Sequence, residues 1–182
     1  MTSIKMDDLS RLADLIEKRN ALEREIAALI ERPAAIGHIG EFIATQIFNI
    51  TLEKSASFKG IDGRFLDGLL ESRSVNIKWY AKWEGLLDIT PEALPDFYLV
   101  MTGPKSRLFT SRGGVRPWTI DRVFLFDAKA LAEELIKSGV KIGIATSVRS
   151  IFWENAEIFP ITSNDRYILS EEQREALGLF GA

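Results

Sequence analysis

Asp62 and Lys78 are the two residues whose types and spacing could do chemistry. Asp62 lies in KGIDGRF between Gly60 and Gly63, and Lys78 lies in SVNIKWY, residues 74–80. A carboxylate can hold a divalent cation, and a lysine nearby can orient and activate a water. Phosphodiester hydrolysis needs that nucleophile, charge stabilisation on the phosphorane and relief for the leaving oxygen. Side chains alternate along a strand, so Asn76, Lys78 and Tyr80 share one face while Val75, Ile77 and Trp79 share the other. Asn76 stands where a second acid is expected. Its amide oxygen can coordinate a hard cation but brings no charge. Glu41, in GHIGEFIATQIF, is an upstream acid that can complete the set.

Each of these residues also has a plainer reading. Asp before Gly is a common turn, and a lysine on the polar side of a one-sided sheet is simply solvated. Glycines 60 and 63 leave space beside Asp62 for substrate or for another backbone. Asp67, before Gly68, is a second candidate for the metal acid, and Glu71 is a third. His38 can serve as a base near Glu41 or as a structural residue at a helix start. Trp79, Trp83 and Trp118 can stack on bases or fill the core.

These residues must be positioned by elements that the pattern of apolar side chains outlines. Leu9, Leu12, Leu15, Ile16, Leu22, Ile26, Leu29 and Ile30 recur at helical spacing and predict one long helix from about Asp7 to Glu31, stopped by Pro33. Leu15, Leu22 and Leu29 are seven apart, with Leu12 and Ile26 at the alternate positions and Arg19 interrupting the seam. That stripe can pack on its own domain or form a short coiled-coil contact between two chains. A second helix is predicted over Ile36 to Phe48. Strands are predicted near Thr51 to Phe58, near Ile61 to Leu70 with a turn at Asp67-Gly68, and at Ser74 to Tyr80. Further apolar runs at Leu94 to Thr102 and Val123 to Phe126 read as strands, with a helix over Ala128 to Ser138 ended by Gly139. Val140 to Ala145 is a glycine-containing apolar stretch. The order predicts an α/β or α+β core. The expected division is a helical segment 1–32, available as a dimerisation arm, and a domain 33–182.

Composition narrows the chemistry. The 182 residues include no cysteine and one histidine, so disulfides, thiolate sites and a multi-histidine zinc site within one chain are excluded. A metal would rest on oxygen ligands, which points to Mg²⁺ or Mn²⁺. No apolar run is long enough for a membrane span, and MTSIKMDDLS lacks a secretory pattern, so a cytoplasmic protein is expected. The net charge is −3, yet residues 103–119 carry Lys105, Arg107, Arg112 and Arg116 without an acid. That basic loop can bind phosphates, with Trp118 after it to stack on bases, or it can be a solvated loop. Gly113-Gly114 lets its backbone approach a phosphate. There is no GxxxxGK[ST] phosphate loop and no Gly-x-Ser-x-Gly elbow.

Taken together, GHIGEFIATQIF, GIDG and VNIKWY resemble the PD-(D/E)xK nuclease superfamily over roughly Ile36 to Tyr80. The resemblance implies a restriction-endonuclease-like fold: a mixed central sheet flanked by helices, in the order helix, three antiparallel strands, helix, strand. It implies that Asp62 binds metal, that Asn76-Ile77-Lys78 matches the (D/E)xK triplet, and that Glu41 matches a helix glutamate. Lys78 then takes the water-activating role, and the Ile77 carbonyl is a further metal ligand. Ile61 replaces the usual proline and Asn76 the usual acid. The expected function is a Mg²⁺-dependent endonuclease acting on DNA, of restriction type, with Lys105, Arg107, Arg112, Arg116 and Trp118 on the nucleic acid. A double-strand cutter is expected as a symmetric dimer. The alternatives are a catalytically inactive binding or interaction module on the same fold, and a structural protein that dimerises through its N-terminal helix.

Overall fold

The computed structural model describes residues 5–53, 60–105 and 117–181. The chain divides into two compact units, Met1–Ile39 and Gly40–Ala182. The first carries helix α1, Met6–Ile30. Asp7 and Asp8 in its first turn favour the positive end of the helix dipole. Glu31 closes it in the left-handed region, φ 53°, its N–H bonded to the Ala27 carbonyl. Ile30 is the one buried residue of α1, and its leucine stripe is exposed. Helix α2, Ile36–Phe48, starts in this unit and continues into the next. The His38 Nδ1–H donates to the Pro33 carbonyl at 3.0 Å, a structural role at the helix start.

The second unit runs through β1 (Ile50–Leu52), β2 (Gly63–Phe65), β3 (Ser74–Tyr80), β4 (Leu86–Leu87), β5 (Phe97–Thr102), β6 (Arg122–Asp127) and α3 (Ala128–Lys137). It continues with β7 (Thr146–Ser147), α4 (Ser150–Ala156), β8 (Glu157–Phe159) and α5 (Glu171–Gly178). Six strands form one mixed sheet in the order β1-β2-β3-β5-β6-β8, and β4 pairs β7 separately. Within the large sheet β3 and β5 are parallel, and every other neighbouring pair is antiparallel.

The alternation along β3 separates two covered faces. A Cβ on Gly40 would stand 3.0 Å from the Trp79 Cβ and 3.4 Å from the Met101 Cε, so α2 lies directly on the face of Val75, Ile77 and Trp79. On the other face Tyr98, Val100, Phe124 and Phe126 pack with Leu131 and Leu135 of α3 and Trp153 of α4. Trp153 meets Phe124 and Phe126 edge-on, at 4.8 and 4.9 Å between ring centroids. β3 is therefore not the one-sided strand that its polar residues suggested. Asn76 is buried at 8% exposure, and Lys78 is half-buried rather than freely solvated.

Several boundaries differ from expectation for local reasons. The long strand expected over Ile61 to Leu70 is three residues of β2 followed by a 3₁₀ turn, Gly68–Leu70, where Gly68 has φ +72°. The apolar stretch Val140 to Ala145, to which the sequence reading assigns no element, is irregular. Thr146 takes both the Gly143 N–H and its carbonyl onto one hydroxyl, and Ala145 is left-handed, φ 54°. The resemblance implied a helix between the third and fourth strands, whereas β3 is joined to β5 through β4 and a 3₁₀ turn, Pro91–Ala93.

Candidate functional site

The local chain path explains where Asp62 sits. β2 and β3 pair at Gly63↔Val75 and Arg64↔Ser74. Beyond Val75 the two strands separate, and Asp62 occupies the fork. Its backbone N–H donates to the Val75 carbonyl at 2.9 Å, and its own carbonyl accepts from the Glu53 N–H at 2.9 Å. Its carboxylate Oδ2 accepts the Ile77 N–H at 2.7 Å. A side chain thus replaces the ladder carbonyl that β2 no longer supplies, satisfying a buried strand amide.

Both glycines around Asp62 are filled by other backbone. A Cβ on Gly63 would lie 2.3 Å from the Thr51 carbonyl oxygen, and one on Gly60 would lie 2.2 Å from the Ala93 carbonyl oxygen. Gly60 also has φ +78°. The space next to Asp62 that the glycines suggested is therefore taken by the β1 strand and the turn before β5.

The β2–β3 pairing ends at Gly63↔Val75, and Asp62 meets β3 through the Val75 carbonyl and the Ile77 N–H, the residues on either side of Asn76. On its other edge β3 pairs with β5, where Asn76 stands beside Tyr98 and shares its face. The Asn76 Oδ1 is buried and meets no hydrogen-bond partner among the described residues. A buried amide oxygen in that state costs free energy of about 1–3 kcal/mol unless a water or cation reaches it. Lys78 follows on the same face, beside Val100, and then Tyr80 beside Thr102. Burial pushes the Tyr80 hydroxyl pKa up; it accepts from the Asp88 N–H at 3.1 Å. Along a strand edge alternate residues present their N–H and C=O together. Because the Val75 carbonyl and the Ile77 N–H both meet Asp62, the Ile77 carbonyl lies on that edge too.

The donors here are a carboxylate, an unpartnered amide oxygen and a backbone carbonyl, all hard oxygens suited to Mg²⁺ or Mn²⁺. The set is poor in charge. Among the described residues no three His, Cys, Asp or Glu side chains gather in metal-binding geometry. Glu41 comes from α2, on the face of Trp79, and Asn76 and Lys78 occupy the opposite face. Asp67 accepts from the Asn49 side chain at 2.6 Å in an exposed turn, and Glu71 is likewise exposed. Neither is held at the fork.

The parallel pair β3 and β5 brings Lys105, the first basic residue of that segment, to the same end of the sheet as Lys78. β5 ends at Thr102 opposite Tyr80, and Lys105 follows three residues later. Arg107, Arg112 and Arg116 lie outside the described residues. Lys105 Nζ stands 4.4 Å from the Trp83 ring centroid, and the Arg122 guanidinium stands 4.7 Å from it. Arg122 also pairs with the buried Glu157 at 3.5 Å. Burial raises the Glu157 pKa, and Arg122 opposes that rise. Trp83 itself packs on Phe124 and Trp153. Sequence reading missed Arg122 and Glu157, since neither spacing nor local charge singles them out. Only the antiparallel β5–β6–β8 order brings them beside Trp83.

Trp118 closes the basic segment on the other face. Its ring lies 6.3 Å from that of Trp79, whose Nε1–H donates to the Thr119 carbonyl at 3.1 Å. Trp79 is buried, whereas Trp118 is 46% exposed and so available to a ligand. A cavity of about 290 Å³ lies elsewhere, lined by Phe126, Leu131, Glu134, Phe152 and Arg166, and contains none of the candidate residues.

Compared with known protein families and with curated proteins, the chain matches no family model and no curated protein.

Proposed function

We propose that this chain is a metal-dependent endonuclease of restriction-endonuclease-like type that hydrolyses DNA phosphodiester bonds. The observation that carries the reading is the fork of β2 and β3. There the Asp62 carboxylate is tied to the Ile77 N–H, next in sequence to Asn76 with its buried, unpartnered Oδ1, and Lys78 follows Asn76 on the same face of β3. Asp62, Asn76 and the Ile77 carbonyl would hold Mg²⁺ or Mn²⁺, while Glu41, from the helix on the other face of β3, is left outside that set. The cation supplies Lewis acidity and a water of lowered pKa when bound. Lys78 orients the attacking water and offsets charge on the scissile phosphate. The Ile77 N–H fixes the Asp62 carboxylate, so its geometry is set before substrate arrives. Lys105, Arg107, Arg112 and Arg116 neutralise flanking phosphates, and Trp118 stacks on an accessible base.

Plasmid cleavage in Mg²⁺ or Mn²⁺ tests this, with Asp62→Ala and Lys78→Ala beside the wild type. Metal-dependent cutting lost in both variants supports the proposal. Undiminished cutting by Lys78→Ala sinks the assigned chemistry.

One observation favours a second reading, a nucleic-acid-binding module without turnover. Asn76 supplies no negative charge where the triplet acid belongs, and it is buried beside an aromatic core. That reading expects DNA binding independent of metal and no cleavage by the wild type.

A further inference from the structure

Helix α1 presents a stripe that the proposed chemistry does not use. Leu12, Leu15, Leu22 and Leu29 are 52, 53, 59 and 72% exposed, and Ile26 between them is half-buried. With Arg19 they follow the three-and-four spacing of a coiled-coil seam. Leu9 and Ile16 extend the apolar face. Together these side chains offer on the order of 700 Å² on one helix, near the ~800 Å² that each partner contributes to a standard interface.

Charge on the helix selects both the occupant and its direction. In a parallel pair Arg19 would face the partner's Arg19 inside the seam. An antiparallel pair with Leu12 against the partner's Leu29 sets Leu15 against the partner's Ile26 and Arg19 against the partner's Leu22. The Arg19 stem can then cover that leucine while its guanidinium stays on Glu23, which it already meets at 2.8 Å. The same register puts Lys18 beside the partner's Glu25 on one flank of the seam, an attraction that the two-fold repeats.

We infer that α1 is a self-association surface that pairs two copies of this chain antiparallel through Leu12, Leu15, Leu22, Ile26 and Leu29. This inference stands independently of the nuclease reading.

Sedimentation of the full chain tests it first. The expected result is a dimer that becomes a monomer when Leu15→Glu and Leu22→Glu are combined, with helical circular dichroism retained. Cysteine cross-linking tests the direction without disturbing the fold, because the chain has no cysteine of its own. Leu12→Cys protein should cross-link efficiently when mixed with Leu29→Cys protein, and poorly by itself. A wild type that stays monomeric at its highest soluble concentration overturns the inference. So does a folded, still dimeric double-Glu variant, or Leu12→Cys that cross-links to itself as well as to Leu29→Cys.

Discussion

The Asp62 carboxylate accepts the Ile77 backbone N–H at 2.7 Å, at the point where β2 leaves β3. One side chain therefore has two tasks, holding a strand amide and facing the candidate metal position. The tasks separate by substitution. Asp62→Ala leaves the amide without its partner and should lower stability by about 2 kcal/mol, while Asp62→Asn keeps an acceptor and should lose about half as much. Both should abolish cleavage. Urea titration beside a plasmid assay checks this, and a cleaving Asp62→Asn would count against a metal role for the carboxylate.

Asn76→Asp introduces an acid in a buried position. Without metal the new charge should cost about 2–4 kcal/mol, because residue 76 is buried and its side-chain oxygen meets no hydrogen-bond donor among the described residues. Bound Mg²⁺ stabilises the native state by mass action. The thermal midpoint of Asn76→Asp should therefore rise more steeply with Mg²⁺ than that of the wild type. Equal Mg²⁺ responses would place the cation away from residue 76.

Trp83, which lies under Lys105, and Trp118, within the basic segment, should behave oppositely. Trp83 is wedged against Phe124 and Trp153 and under Lys105 and Arg122, so Trp83→Ala should cost about 3 kcal/mol of stability. Trp118 is half exposed, so Trp118→Ala should cost under about 1 kcal/mol. It should instead weaken single-stranded DNA binding about tenfold, the size of one lost base stack. Chemical denaturation and a fluorescence binding titration separate the two effects.

Acid should destabilise the fold partly through Asp96. Burial by itself would raise its pKa. The Ser74 N–H and hydroxyl bonds, at 2.8 and 2.7 Å, outweigh that together with Arg73, and hold the pKa below the usual carboxylate value. A depressed native pKa adds stability that is present above the unfolded value and lost as pH falls through the native one. Stability should thus decline as pH drops below the ordinary carboxylate range. Asp96→Asn should flatten that acid limb, which denaturation at a series of pH values will show.

Much of the scaffold was legible in the sequence. Ile36–Phe48 and Ser74–Tyr80 match their expected limits because each has an uninterrupted period, helical in the first and two-residue in the second. The elements missed were short ones. α5 is announced by Ser170 and Gln173, which form a complete capping box, and β8 is three residues whose pairing with β6 passes through an irregular register. A strand that short has no readable period, and only its neighbour makes it a strand.

The same division runs through the candidate site. Residue types by themselves determined that any metal must rest on oxygen donors, that residue 76 is an amide, and that Lys78 shares its face. Tertiary structure decided what those faces meet. Both sides of β3 are covered, because α2 lies on Trp79 while α3 and α4 pack on the opposite side, so Asn76 is buried rather than exposed. It also decided that Gly60 and Gly63 admit neighbouring backbone, and that Arg122 and Glu157 join Trp83 at the end of the sheet. Alternation is a property of one strand and is written in its residues. Burial and cross-strand neighbours depend on pairings between distant segments, which no local pattern encodes.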